Sequence, residues 1–245
     1  MKVLYFIPGP LSKGTLGPQE LLRRQAILQK LADVNTEIIV RDAESGPASI
    51  ESIYEEYLSV PGMMRAVAEA EREGIDAVIV GCFGDPGVDG AREIAGIPVI
   101  GPCESSMHLA SVLGYKFSVV TVLDGVKPII RKVLHHTGLE SRLASIRVIE
   151  TSVLDIAGRR SAVLDRLIDA GRQAIDEDGA DTLILGCMSL AFQELSLELG
   201  DVLGVPVVSP AEAALKLAQT LVSLRLSQSK KAYSTPIKMQ HLASV

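Results

Sequence analysis

Residues 73–114 read EGIDAVIVGCFGDPGVDGAREIAGIPVIGPCESSMHLASVLG, and residues 178–221 read DGADTLILGCMSLAFQELSLELGDVLGVPVVSPAEAALKLAQTL. In both, Gly-x-Asp opens a strand-like apolar run that ends in Gly-Cys. A helical segment follows, then Gly-[Ile/Val]-Pro-Val-[Ile/Val], then x-Pro-x-Glu at the start of another helix. Gly74, Asp76, Gly81 and Cys82 match Gly179, Asp181, Gly186 and Cys187 at one constant offset. Pro102 and Glu104 match Pro210 and Glu212 at a slightly longer one, because the second copy carries a short insertion. A unit that recurs in this way is a structural unit. The chain is therefore expected to hold two α/β lobes related by a pseudo-twofold axis.

The same alternation extends outward from the repeat. Short runs suited to strands fall at 2–7, 36–41, 76–81, 97–100, 117–122, 146–150, 181–186 and 205–208, with helical spacing at 17–32, 61–73, 103–113, 126–136, 158–177 and 210–226. Strand-helix alternation predicts parallel sheets covered by helices on both faces. Ligand sites in such sheets collect outside the carboxyl ends of the strands. We expect a first lobe over residues 1–100, completed by the helix in 210–226, a second lobe over 101–209, and a tail over 227–245. A chain of 245 residues has ample material for such a core.

Composition narrows the partners. The net charge is −6, and Lys230-Lys231 in the tail is the one basic cluster that stands out, so no nucleic-acid partner is expected. No uninterrupted apolar stretch approaches the roughly 18 residues of a membrane span. The start, MKVLYFIPGP, breaks at Pro8-Gly9-Pro10 and reads as a first strand rather than a signal peptide. Cys82, Cys103 and Cys187 form no Cys-x-x-Cys pair and have no histidine at ligand spacing, which argues against a metal site or a disulfide framework. Without a secretory signal, reduced thiols in the cytoplasm are expected.

Two cysteines at matching strand ends have a chemistry of their own. If the lobes face each other, Cys82 and Cys187 do so across the cleft. A thiolate is the reactive form and is favoured at a helix N-terminus. After Cys82, Asp85 can cap, Pro86 suits the first helical position, and Val88, Ala91 and Ile94 follow at helical intervals. After Cys187, Ser189 is the expected cap, with Leu190, Leu195 and Leu199 continuing the helix. One thiolate can take a proton from carbon while a thiol opposite returns one, inverting a stereocentre without metal or organic cofactor. Backbone N–H groups at the two turns could stabilise the negative charge that develops.

Other polar residues read as structural. Cys103 is matched by Ala211 in the second copy and so fails the test that Cys82 passes. His108 is matched by Lys216 and is expected on a helix surface, while His135 and His136 sit near a helix end, where positive charge complements the dipole. Residues 51–59, ESIYEEYLS, read as a solvated face entering a helix, and Asp76 and Asp181 as turn residues.

The segment from Cys82 to Thr121, with LILGCMSLAF (183–192), SGPASIES (45–52) and SQSKKAYSTP (227–236), resembles the hydantoin and allantoin racemases of the aspartate/glutamate racemase superfamily. The resemblance implies two flavodoxin-like lobes, no cofactor, a homo-oligomer, and a small cyclic ureide as substrate: a 5-substituted hydantoin or allantoin. It makes Cys82 and Cys187 the catalytic acid/base pair. It also gives Phe83, Gly84, Met188 and Ser189 to substrate binding through backbone N–H groups, with Thr121 lining the cleft. Amino-acid racemases of the superfamily follow the first cysteine with Asn-Thr and the second with Thr-His. Here Phe83-Gly84 and Met188-Ser189 stand there, which favours a neutral ring. The first strand also departs from the family's usual Asn-Pro-Asn, reading Ile7-Pro8-Gly9-Pro10. Three alternatives remain open. One is a maleate-type cis–trans isomerase, in which one cysteine attacks carbon. The others are an amino-acid racemase and a non-catalytic α/β ligand-binding protein.

Overall fold

The computed structural model describes residues 1–238, so residues 239–245 of the expected tail lie outside the described part. Four strands form a first parallel sheet: β1 (Lys2–Ile7), β2 (Glu37–Asp42), β3 (Ala77–Val80) and β4 (Val99–Ile100), in the order β2-β1-β3-β4. Four more form a second: β5 (Phe117–Thr121), β6 (Leu143–Val148), β7 (Thr182–Leu185) and β8 (Val207–Val208), in the order β6-β5-β7-β8. The two sheets therefore repeat one topology. Strands buried on both faces are apolar throughout, and β1 shows why. Val3, Tyr5 and Ile7 point to one core and Leu4 and Phe6 to another.

In the first half of the chain the helices are α1 (Gln19–Leu31), α2 (Ile53–Ala70), α3 (Val88–Ile94) and α4 (Pro102–Leu113). In the second they are α5 (Lys127–Thr137), α6 (Arg160–Asp176), α7 (Met188–Ala191), α8 (Ser196–Leu203) and α9 (Pro210–Ser223). Leu28 of α1 packs with Val3, Tyr5 and Ile7, while Met63 and Val67 of α2 pack with Leu4 and Phe6 on the opposite face. The two helices that follow the short last strands change sides. After β4, α4 sends Cys103, Met107 and Ala110 into the core of the second sheet. After β8, α9 sends Ala211, Ala214, Leu215 and Ala218 into the core of the first. The two crossing helices pack against each other.

Local differences from the expected elements have local causes. Helix α2 begins at Ile53 and not at 61, and Pro61 lies inside it. Ser52 caps it, its hydroxyl accepting from the Glu55 N–H at 3.3 Å, while the Glu55 carboxylate accepts from the Ser52 hydroxyl at 3.0 Å. The Glu55 carboxylate also accepts from the Glu51 N–H at 2.7 Å, so this is a variant of the Ser-x-x-Glu capping box in which the return bond comes from the residue before the cap. The helix expected to run on from Cys187 is broken: α7 ends at Ala191, Glu194 adopts φ +54°, and α8 starts at Ser196. Strand β6 starts earlier than expected, where Leu143 pairs with Phe117 ahead of an irregularity at Phe117/Ser118. Among the described residues, no helix is long and apolar enough to cross a membrane.

Candidate active site

The repeated Gly-x-Asp and Gly-Cys fix the start and end of matching strands. Asp76 accepts from the Lys2 backbone N–H at 2.7 Å, and Asp181 from the Tyr115 N–H at 2.7 Å. Each aspartate so ties down the chain entering the neighbouring strand. At the other end, the Gly81 N–H donates to the Phe6 carbonyl at 2.6 Å and the Gly186 N–H to the Val120 carbonyl at 2.7 Å. A Cβ at Gly81 would lie 2.8 Å from the Phe6 oxygen, and one at Gly186 would lie 2.6 Å from a Val119 methyl. Only glycine allows this approach. The next residue in each copy, the cysteine, leaves its strand at the carboxyl end.

Both cysteines line one cavity of about 100 Å³, far more than the 10–15 Å³ or so that a water needs. Cys82, Phe83 and Gly84 meet Cys187, Met188 and Ser189 across it, and Ile7, Pro8, Ile50, Val126 and Ile129 form apolar walls. The unusual first-strand loop is thus part of the pocket. Thr121 is not. It is fully buried, and its hydroxyl donates to the Gly186 carbonyl at 2.8 Å, propping the turn beneath Cys187. Cys103 is buried in the core, and His108, His135 and His136 are exposed on helices.

The helix starts expected beside the cysteines are corrected. Asp85 stands at φ +50° and Gly87 at φ +68°, so α3 does not begin until Val88, well beyond Cys82. The Asp85 carboxyl accepts instead from the Cys103 and Glu104 N–H groups, each at 2.9 Å, and caps α4. Burial pushes that carboxyl up to about 8 against these two bonds. Cys82 is therefore not favoured as a thiolate by a helix start. Burial pushes its thiol up to about 12, opposed by the Gly84 N–H and reinforced by Cys187, Asp85 and Glu56. Cys187 is itself the N-cap of α7, and Ser189 lies inside that helix rather than capping it. Burial raises the Cys187 thiol as well, opposed by the Leu190 and Ser189 N–H groups and by Arg24.

Arg24 is a cavity residue the sequence patterning passed over. It shares a face of α1 with Leu21, Leu28 and Leu31, and a charge at such a position is the signal that could have found it. Its Nε donates to Glu20 at 2.9 Å, its Nη2 donates to the Ser189 hydroxyl at 3.3 Å, and its guanidinium lies 4.7 Å from the Phe192 ring centroid. Residues 51–59 also depart from a purely solvated face. Tyr54 and Tyr57 are exposed, but Glu56 is buried and pairs with Lys132 of α5. Glu51 accepts from the Ser152 hydroxyl at 2.9 Å and the Val153 N–H at 2.6 Å.

Two copies of a parallel α/β frame each end a strand in a thiol at one apolar cavity. The model of the Asp/Glu/Hydantoin racemase family matches residues 23–218, and the chain belongs to that family. It is 40% identical to the hydantoin racemase of Pseudomonas sp. (strain NS671), over 86% of this chain and 84% of that one. It is 35% identical to the hydantoin racemase of Paenarthrobacter aurescens, over 87% of this chain and 91% of that one. Among solved structures, allantoin racemase from Pseudomonas fluorescens superposes with a TM-score of 0.89 at 31% identity, covering 97% of each chain.

Proposed function

We propose that the chain racemises a 5-substituted hydantoin or allantoin, with Cys82 and Cys187 as the two proton-transferring groups. The observation that carries this is the meeting of Cys82 and Cys187, from matching strand ends, at one cavity. Similarity to hydantoin racemases and an allantoin racemase supports the substrate class. In such a ring the stereogenic carbon adjoins a carbonyl. When one thiolate removes its proton, charge spreads onto the carbonyl oxygen, and the opposite thiol donates to the other face. The scheme requires no cofactor.

The Gly84 N–H faces the Cys82 sulfur, and the Ser189 and Leu190 N–H groups face the Cys187 sulfur, so each thiolate has donors in its turn. We assign the Phe83 and Met188 N–H groups to the ring oxygens. Ile7, Ile50, Val126 and Ile129 bring no charge to the substrate, and Arg24 is already paired with Glu20. These walls suit a neutral ring better than a free amino acid or a dicarboxylate.

Single enantiomers of allantoin and of 5-alkyl and 5-aryl hydantoins, incubated in deuterated water, test the proposal. The wild type should racemise at least one of them with deuterium entering the product. Cys82→Ser and Cys187→Ser should each lose racemisation by about 10²- to 10⁴-fold, the usual worth of a positioned acid or base. Each variant should still exchange the ring-carbon proton of one enantiomer. Full racemisation by either variant would overturn the two-thiol scheme, and inactivity of the wild type across the panel would overturn the substrate class.

A further inference from the structure

The two thiols are not equivalent: Cys187 has one more backbone N–H than Cys82 and a buried cation, Arg24, beside it. We propose that Arg24 is a positioning residue that orders the pair, making Cys187 the thiol that ionises first while Cys82 keeps its proton. This rests on the two-thiol scheme above.

A guanidinium taken out of water must be paired, and Arg24, only 4% exposed, is paired with Glu20. Glu20 is shared: Arg23 also donates to it, at 2.7 and 2.8 Å. Arg23 also feels Glu194, so the charge left nearest the cavity is that of the buried member, Arg24, which lines the space that holds both sulfurs. Arg24 also donates to the Ser189 hydroxyl, two residues beyond Cys187, while its guanidinium rests on Phe192. Around Cys187 stand two backbone N–H groups, the Ser189 hydroxyl and this cation. Around Cys82 stand one backbone N–H and the carboxyl groups of Asp85 and Glu56. The buried Tyr5 hydroxyl feels both sulfurs and Arg24, and Cys103 feels Cys82 from the core side. Donors and a cation thus gather around Cys187, while Cys82 has a single N–H donor and carboxyl neighbours.

The order matters for turnover. A Cys187 thiolate takes the carbon-bound proton of one enantiomer as the Cys82 S–H bond breaks to form the new C–H bond on the other face. The products are a Cys187 thiol and a Cys82 thiolate, which is the form the opposite enantiomer needs. Enantiomers have equal free energies, so kcat/KM is the same in both directions. The individual kcat and KM values differ, because the singly ionised enzyme favours one of the two forms.

Alkylation by iodoacetamide without substrate, followed at each cysteine by peptide mass spectrometry across pH, reads thiolate content directly. In the wild type Cys187 should be modified before Cys82. In Arg24→Gln the rate at Cys187 near neutral pH should fall about tenfold, the usual effect of losing one nearby charge, and its profile should move to higher pH. Arg24→Lys should restore most of that rate, and Cys82 should change little. Buried Cys103 reports folding, since only an opened chain exposes it; if both variants expose it, the order in the wild type decides. Cys82 reacting first in the wild type, an unmoved Cys187 profile in Arg24→Gln, or an Arg24→Lys protein that behaves like the Gln variant would each overturn the proposal. None of these outcomes touches the two-thiol scheme, which stands or falls on the serine variants and deuterium.

Discussion

A thiol enclosed by aliphatic side chains is a weak base in number rather than in strength: few molecules carry the thiolate at any moment. Burial pushes Cys82 up to about 12 and raises Cys187 as well. In the proposed scheme the working pair shares one proton between two sulfurs. Below the first ionisation of the pair both sulfurs are protonated, so kcat/KM should rise with pH through neutrality. It should fall again only as the second proton leaves, toward the Cys82 value of about 12. A pH series of kcat/KM checks this, and an optimum on the acid side would contradict it. The pair itself was legible in the sequence because Gly81-Cys82 and Gly186-Cys187 recur at one offset, and the cause of the repeat is steric. Asp85 was misread because Asp-Pro followed by helical spacing has the form of a cap. Which N–H groups that carboxyl accepts from depends on Cys103 and Glu104, brought beside it only by the fold.

Among the elements, the segment joining β2 to α2 matters most for the cavity. Pro47, Ala48, Ser49 and Ile50 line the pocket, and Glu51 at their end grips the backbone N–H of Val153, itself a wall residue of the other lobe. The Glu51 carbonyl also passes so close to Gly125 that a Cβ there would lie 2.4 Å from it. Glu51→Ala should free both walls while leaving the thiols in place. We expect KM to rise about fivefold, the worth of roughly 1 kcal/mol of hydrogen bonding, with a smaller change in kcat. Steady-state kinetics on both enantiomers measures the split, and a fall in kcat alone would show that Glu51 serves the chemistry instead. The true start of α2 was available in Ser52-x-x-Glu55, although a proline at 61 also has the form of a helix start. The grip on Val153 was not available, since it joins residues that only the packing of two lobes brings together.

At the level of the whole molecule, the crossing of α4 and α9 makes each sheet depend on the other half of the chain. Leu215 of α9 is fully buried in the core of the first sheet with Val3 and Tyr5. Leu215→Ala should cost about 2–5 kcal/mol, as large-to-small changes in cores do. Urea unfolding followed by circular dichroism measures the loss, and a change below about 1 kcal/mol would mean that α9 is not integral to that core. The alternation of strands and helices gave the two sheets away in the sequence. The crossing has a topological cause rather than a local one: β4 and β8 are two residues long, and the helix after each leads across to the neighbouring sheet.

That crossing also sets a schedule on the ribosome. The second sheet finds its crossing helix, residues 102–113, already made upstream of β5, while the first sheet must wait for residues 210–223. At about 5–20 residues per second, the apolar face around Val3, Tyr5 and Ile79 stays uncovered for seconds while the rest of the chain is translated. The half that is synthesised first is the half that is finished last.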